Sequence, residues 1–317
     1  MSEGKGCDEI VFDETTHTYT QNGHTAPLSV TKLISNHFEA FDGPAVVERC
    51  FGKWKENVDS KYYALIHSHA SDEAAKQAIL DLWETNKQEA CRLGTATHKA
   101  VELLLGGAPL ETCGNPEVQD EINAFLAWYA AKRKQGWTIE HTELVVGWMD
   151  GEDRLCLGGS VDALFKNEKG EFVLVDWKRT KERFGPDEDT RFAKRGSGPA
   201  SELLDTKFSK YALQLAVYAE MLKRHLGIGV GDRRYLVRLT KDEGAQEVCA
   251  AGAVYDCVAA SLLRVAAGNE EEEEENDSPP KRQKAGRPQE DDELSESERE
   301  LLLQQQIGDD VVELETC

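Results

Sequence analysis

Short stretches of alternating apolar and polar residues predict strands in the middle of the chain, at roughly 138–147, 154–166 and 171–178. Longer stretches with helical spacing flank them. Ser29 is a suitable N-cap for a first helix, and glycines follow the expected ends of three others. The predicted helices are 29–34, most of 44–106, Pro116 to Lys134, 201–225 and 253–267. Further strands are predicted in a hairpin at 9–28 and at 234–239 and 246–250.

This order of elements predicts a mixed α/β layer architecture. A helical part at about 29–135 precedes a sheet core at about 137–250, and we expect one folded domain over residues 1–267.

The charge of the chain is concentrated in its last part. The net charge is −22, and residues 269–317 carry −13 of it, including six consecutive glutamates. Such a segment buries too little apolar surface to fold, so we predict a disordered acidic tail over 268–317. A basic patch at Lys281–Lys284 resembles a short nuclear localisation signal. The tail is expected to bind basic proteins or import factors.

Cysteine usage and hydropathy favour an intracellular protein. The eight cysteines form no CxxC pair, which is typical of reduced thiols. No apolar run approaches the roughly 18 residues of a membrane span, and the N-terminus resembles no targeting signal.

Two aspartates and a lysine lie on a predicted hairpin. A three-residue loop, Glu168-Lys169-Gly170, would pair Asn167 with Glu171. The same register places Asp162 opposite Asp176, and Lys178 projects from the same face of the sheet as Asp176. Opposed like charges are destabilising unless a cation lies between them, so the hairpin predicts a divalent-metal site. An Asp-x-Lys triplet alone is common by chance, and the combination with Gly-x-x-Asp and this loop is more specific.

Two further residues could add metal ligands. His98 lies on a predicted helix, where Glu102, one turn on, could orient its imidazole, and Gly94 leaves room for a phosphate. Glu143 on the preceding strand could add a carboxylate. The ordinary alternatives are a structural histidine and a surface glutamate.

A later helix places Lys207, Tyr211, Gln214 and Tyr218 on one face, where they could contact a substrate or simply form core. Nine basic residues between 178 and 210 could hold a phosphate backbone or form a solvated loop.

The order Gly-Thr-x-x-His98, Gly-x-x-Asp162, Asp176-Trp177-Lys178 and Gln214-x-x-x-Tyr218 resembles the RecB-like branch of the PD-(D/E)XK nuclease superfamily. The resemblance covers about residues 9–240. Within that branch, the chain resembles mitochondrial genome-maintenance exonucleases and related viral and phage exonucleases. One departure is Val161, which replaces the proline of the motif.

The resemblance implies a restriction-endonuclease-like mixed central sheet flanked by helices, and hydrolysis of phosphodiester bonds with Mg²⁺ or Mn²⁺. It implies metal ligation by His98, Asp162, Asp176 and the backbone carbonyl of Trp177, with Lys178 supporting the attacking water. Gln214, Tyr218, Thr95 and Arg179 are expected to contact nucleic acid. No cysteine quartet frames these motifs, so no iron–sulfur cluster is expected.

The resulting hypothesis is a DNA exonuclease that prefers single-stranded ends, acting in DNA repair, replication or recombination. RNA stays open as a substrate. The alternative is a non-catalytic nucleic-acid-binding or adaptor protein on the same fold. Degenerate relatives usually lose an aspartate or the lysine, and their presence here favours the enzyme.

Overall fold

A computed structural model describes residues 10–187 and 193–268 of the chain. Its strands are β1 Val11–Asp13, β2 Thr18–Gln21, β3 His24–Thr25, β4 Leu28–Ser29, β5 Thr138–Met149, β6 Leu155–Lys166, β7 Phe172–Lys178, β8 Arg234–Thr240 and β9 Gly244–Cys249. Its helices are α1 Val30–Ser35, α2 Gly43–Glu56, α3 Tyr63–His67, α4 Asp72–Leu105, α5 Leu110–Cys113, α6 Gln119–Lys134, α7 Lys207–Leu226 and α8 Ala253–Ala266, with 3₁₀ turns at Pro116–Val118 and Gly198–Ala200.

Six strands form a central mixed sheet. β6 pairs with β5 along one edge, and its other edge pairs with β7 and, further along, with the short β4. β8 runs parallel to β7, and β9 closes the sheet antiparallel to β8. The parallel pair requires a crossover, which α7 supplies. β1, β2 and β3 form a separate antiparallel sheet.

The β6–β7 hairpin has the predicted register. Ala163 pairs with Val175 and Lys166 with Phe172, and the loop closes with Asn167 accepting from the Gly170 backbone N–H. Gly170 has φ +75°, a conformation that glycine adopts without steric cost. The paired residues end at Ala163–Val175, and beyond them the Trp177 backbone N–H donates to the Asp162 side chain, so Asp162 and Asp176 lie at the adjoining ends of the two strands.

Helices cover both faces of the central sheet and produce two cores. On one face α1, α7 and α8 bury residues such as Val161, Leu164 and Leu174. On the other face α6 and the C-terminal half of α4 bury residues such as Ala163, Phe165 and Trp177. This is the predicted mixed α/β architecture.

The alternation of side chains along β6 changes phase near Asp162. Before Asp162, the odd-numbered residues Gly159 and Val161 face α7. After Asp162, the even-numbered Leu164 faces α7, and Ala163 faces the opposite side of the sheet. Asp162 therefore lies where the strand changes the face that each side chain occupies, next to groups from both neighbouring strands.

A helical lobe has its own core. α2, α3 and the N-terminal part of α4 bury a cluster that includes Trp54, Tyr62 and Trp83, and the indole of Trp83 donates a hydrogen bond to Tyr62 Oη. The 34-residue helix α4, about 51 Å long, joins this lobe to the sheet.

One predicted helix start is wrong. The helix expected from residue 201 begins at Lys207, because Thr206 caps it by accepting from the Ser209 backbone N–H. Residues just before it are held in extended conformation, since Leu204 bridges to Arg195. At the other end Gly227 terminates the helix in the left-handed conformation, as its position predicted. Ser29 caps α1, also as predicted.

Among the residues that the structure describes, no helix has the length and apolar character needed to cross a membrane. The predicted disordered tail, its Lys281–Lys284 patch and Arg191 lie outside the described residues.

Candidate active site

Asp162, Asp176 and Lys178 converge at the ends of β6 and β7. Lys178 Nζ lies 2.9 Å from Asp176 Oδ2, and the Trp177 backbone N–H donates to Asp162 Oδ2 at 2.8 Å. The Asp176 side chain is 4% exposed and that of Asp162 is 11% exposed. The sheet thus places two shielded carboxylates and an ammonium group beside one backbone segment.

His98 reaches this group from α4. Its Nε2 lies 3.0 Å from the Trp177 carbonyl oxygen, and its Nδ1 lies 3.5 Å from Asp162 Oδ2. Both ring nitrogens thus lie against groups other than Glu102, whose Oε2 accepts from Lys99 Nζ at 2.7 Å, so Glu102 does not take the expected role beside the imidazole. The imidazole is oriented by the strand ends instead.

Glu143 lies beside Asp162 on the neighbouring strand. The pairs Thr142–Ala163 and Leu144–Val161 flank the two acidic residues, which therefore face each other across β5 and β6. Donor atoms of His98, Glu143 and Asp162 lie within 4.8 Å of one another. Ser160 Oγ donates to Glu143 Oε2 at 3.0 Å.

Glu143 and Asp176 have pKa values above the ordinary range of carboxylic acids. Burial raises the pKa of Glu143 to about 8, and the negative charge of Asp162 adds to this rise. Burial also raises the pKa of Asp176 to about 6, against the opposing effect of the Lys178 ammonium. Such shifts are common where charged groups are gathered for binding or catalysis.

α7 supports Lys178 through the Gln214-x-x-x-Tyr218 motif. Lys178 Nζ donates to Gln214 Oε1 at 3.2 Å and lies 4.5 Å from the ring centre of Tyr211. Gln214 Nε2 in turn lies 3.5 Å from Tyr218 Oη. Tyr218 is 4% exposed and its ring packs against Gly159, so it forms part of the core, the second of the two expectations for this helix face.

The N-terminal sheet forms a wall that sequence reasoning missed. The ring of Tyr19 covers Gly158, where an added Cβ would lie 2.2 Å from Tyr19 Cγ. Burial and the charge of Glu143 raise the pKa of Tyr19 to about 12. The adjacent glycines 158 and 159 were the available signal, since each admits a tyrosine ring from an opposite side. Ser160 was also missed, although it lies two residues before Asp162.

Most of the basic residues between 178 and 210, which were expected to hold phosphates, form ion pairs with carboxylates of this chain. Arg179 Nε donates to Glu121 Oε1 at 2.9 Å, and Lys207 is buried against Glu182 at 2.9 Å. Of the eight members in the described residues, six contact carboxylates: Lys178, Arg179, Arg183, Lys194, Lys207 and Lys210. The shielded pair Arg179–Glu121 joins the start of this segment to α6, whereas the pairs of Arg183 and Lys194 are largely exposed. Thr95 is exposed on α4, one turn before His98.

The residues present suit a divalent cation. Carboxylate and carbonyl oxygens are the ligands of Mg²⁺ and Mn²⁺, and Mn²⁺ also accepts imidazole. His98, Glu143 and Asp162 offer such donors close together, and the Trp177 carbonyl and the Asp176 carboxylate lie next to them at the end of β7. Burial and, after it, the charge of Asp162 raise the pKa values of Glu143 and Asp176, and a bound cation would oppose both effects.

The chain has low sequence identity to two solved structures. The crystal structure of SSO0001 is 12% identical over 62% of this chain and 88% of its own, with a TM-score of 0.27. A candidate exonuclease from Eubacterium rectale is 13% identical over 56% of this chain and 69% of its own, with a TM-score of 0.31. No curated protein matches the chain. The model of the PD-(D/E)XK nuclease superfamily matches residues 68–310, which is well over half of the sequence. The chain belongs to the PD-(D/E)XK nuclease superfamily.

Proposed function

We propose that this nuclease is a Mg²⁺- or Mn²⁺-dependent DNA exonuclease that acts on single-stranded ends. The observation that carries the proposal is the convergence of Asp162, Asp176, Lys178 and His98 on the Trp177 backbone. All four side chains that the motifs require are present and close together, which favours an enzyme over a non-catalytic adaptor.

Each residue has a defined part in hydrolysis. A divalent ion held by His98, Asp162, Asp176 and the Trp177 carbonyl would polarise the scissile phosphate and lower the pKa of a bound water. Lys178 orients the attacking water and offsets negative charge as it develops on the phosphate oxygens. Gln214 holds the Lys178 ammonium in place through its amide oxygen.

The surface of α4 supports a role in guiding the substrate. Gly94 and Thr95 lie on the same helix as His98, and an added Cβ at Gly94 would meet nothing within 4 Å. This open space lets a phosphate backbone approach close to the helix. The lobe at the other end of α4 is a candidate guide for a free single strand, which is why we favour ends over internal sites.

The substrate is tested with a matched set of nucleic acids. Linear single-stranded DNA, labelled at either end, closed circular single-stranded DNA, blunt duplex and an RNA of the same sequence are each incubated with and without Mg²⁺. We expect Mg²⁺-dependent shortening of linear DNA and an intact circle. Cleavage of the circle would contradict the exonuclease, and degradation of RNA alone would contradict DNA as the substrate.

Asp176→Asn tests the site itself. Loss of a metal carboxylate should lower cleavage by about 10³-fold or more, because the metal contributes several kcal/mol to transition-state stabilisation. Asp232→Asn, on an exposed turn, is the matched control. Binding of DNA without cleavage by the parent protein would support the adaptor alternative, and full activity of Asp176→Asn would refute the mechanism.

The tail, which lies outside the described residues, is proposed to act in localisation. We infer intracellular location and nuclear import through Lys281–Lys284, with roles in DNA repair, replication or recombination. A fluorescent protein fused to residues 269–317 should enter nuclei. Exclusion of the fusion from nuclei would contradict import, and unchanged cleavage after deletion of the tail would separate it from catalysis.

A further inference from the structure

Glu143 has an unusual backbone conformation for a residue within a strand. Its φ is +47°, in the left-handed region that side chains with a Cβ rarely occupy. The pairs on either side, Thr142–Ala163 and Leu144–Val161, keep one register, so Glu143 lies opposite Asp162, where the side chains of β6 change face. Such a conformation costs free energy and persists where surrounding contacts hold it.

The contact that holds the Glu143 side chain comes from Ser160. Its Oγ donates to Glu143 Oε2 at 3.0 Å. Ser160 pairs with Val145 and lies two residues before Asp162, so its backbone position is fixed within the long β5–β6 ladder. A hydroxyl fixed in this way occupies part of the hydrogen-bonding capacity of the carboxylate and leaves lone pairs for a cation.

The N-terminal sheet closes the remaining side. Gly158 pairs with Gly147, and these two glycines receive the side chains of Tyr19 and Ile10. Gly158 is two residues before Ser160 and lies on the same side of the strand. The Tyr19 ring therefore shields the neighbourhood of the Ser160–Glu143 pair from water.

We propose that Ser160 is a positioning residue that fixes the Glu143 carboxylate toward the divalent ion and thereby sets the affinity of the site for that ion. This rests on the proposed function only in that an ion binds beside Asp162 and His98. Groups that orient metal-binding side chains typically change metal affinity by about 10–100-fold when they are removed. Ser160 acts through Glu143, so its effect disappears when the carboxylate is absent.

A double-mutant cycle on metal binding tests this inference. Binding of Mn²⁺ to the full-length protein is measured by isothermal titration for Ser160→Ala, Glu143→Gln and the double variant. We expect Ser160→Ala to weaken binding about 10-fold in the parent and less than about 2-fold in the Glu143→Gln background. Ser160→Thr, which keeps the hydroxyl, should retain most of the affinity.

Two controls separate the possible failures. Ser201→Ala, on an exposed turn, should bind Mn²⁺ as the parent does. If Asp176→Asn loses Mn²⁺ binding while Ser160→Ala binds like the parent, the positioning role is wrong and the proposed function stands. Equal losses from Ser160→Ala in both backgrounds would show that Ser160 does not act through Glu143. A parent protein that binds no Mn²⁺ would overturn both proposals.

Discussion

His98 Nε2 lies 3.0 Å from the carbonyl oxygen of Trp177, although the two residues are 79 positions apart in the chain. This is the length of an ordinary N–H···O hydrogen bond, so the side chain from α4 lies directly against the backbone of β7. This relationship joins the helical part of the chain to the hairpin that carries the acidic residues.

Gln214 is predicted to affect the rate through Lys178. Gln214→Ala removes the acceptor for the Lys178 ammonium, so we expect kcat to fall about 10–100-fold, with little change in Mn²⁺ affinity. Lys178→Ala should lower kcat by about 10²–10⁴-fold. Steady-state kinetics and Mn²⁺ titration of the two variants check this. A Gln214→Ala variant with normal kcat and weakened Mn²⁺ binding would assign the amide to the metal instead.

The stability of the metal-free protein is predicted to fall as the pH rises. The pKa of Glu143 is about 8 in the fold, against an ordinary value of 4.5. Between these values the folded state keeps a proton that the unfolded state has released, so stability decreases with pH at up to about 1.4 kcal/mol per unit for this group. Asp176, with a pKa of about 6, contributes in the same direction over 3.8 to 6.

Melting temperatures in EDTA between pH 5 and 8 measure this effect. Glu143→Gln cannot ionise, so its melting temperature should decline less steeply than that of the parent. Saturating Mn²⁺ should also reduce the slope, because the ion binds the deprotonated acids. Parallel curves for the parent and Glu143→Gln in EDTA would show that Glu143 titrates normally.

Gly94 is predicted to leave room for the substrate beside α4, and no packing contact requires a glycine at this position. An added Cβ would meet nothing within 4 Å, so Gly94→Ala should stabilise α4 by up to about 1 kcal/mol. We expect the same variant to raise KM for DNA. Gly52→Ala is the matched control, since Gly52 also lies in a helix with open space around it. An unchanged KM in Gly94→Ala would remove this role.

Gly158 and Tyr19 are predicted to be energetically coupled. Gly158→Ala forces a Cβ into the Tyr19 ring and should cost about 1–3 kcal/mol of unfolding free energy. In a Tyr19→Ala background the same change should cost much less. Gly229→Ala, where a Cβ meets no neighbour, serves as the control in urea denaturation. Equal costs in the two backgrounds would show that another contact limits Gly158.

Local rules were sufficient for much of the fold. Ser29 and Gly227 mark helix ends because caps depend on the backbone within one turn. The start of α7 was missed because Thr206 competes with earlier residues as a cap, and the Arg195–Leu204 bridge decides the outcome.

The sequence by itself determined the register of the β6–β7 hairpin from Ala163–Val175 to Lys166–Phe172, because a three-residue loop sets the register of a hairpin whatever surrounds it. Only the tertiary structure decided that His98 contacts Trp177 and that Ser160 donates a hydrogen bond to Glu143. The same is true of the ion pairs that Arg179 and Lys207 form with Glu121 and Glu182. These contacts join residues distant in sequence, or depend on a left-handed residue within a strand. They follow from the pairing of strands and the packing of helices on the sheet, which no local pattern of residues encodes.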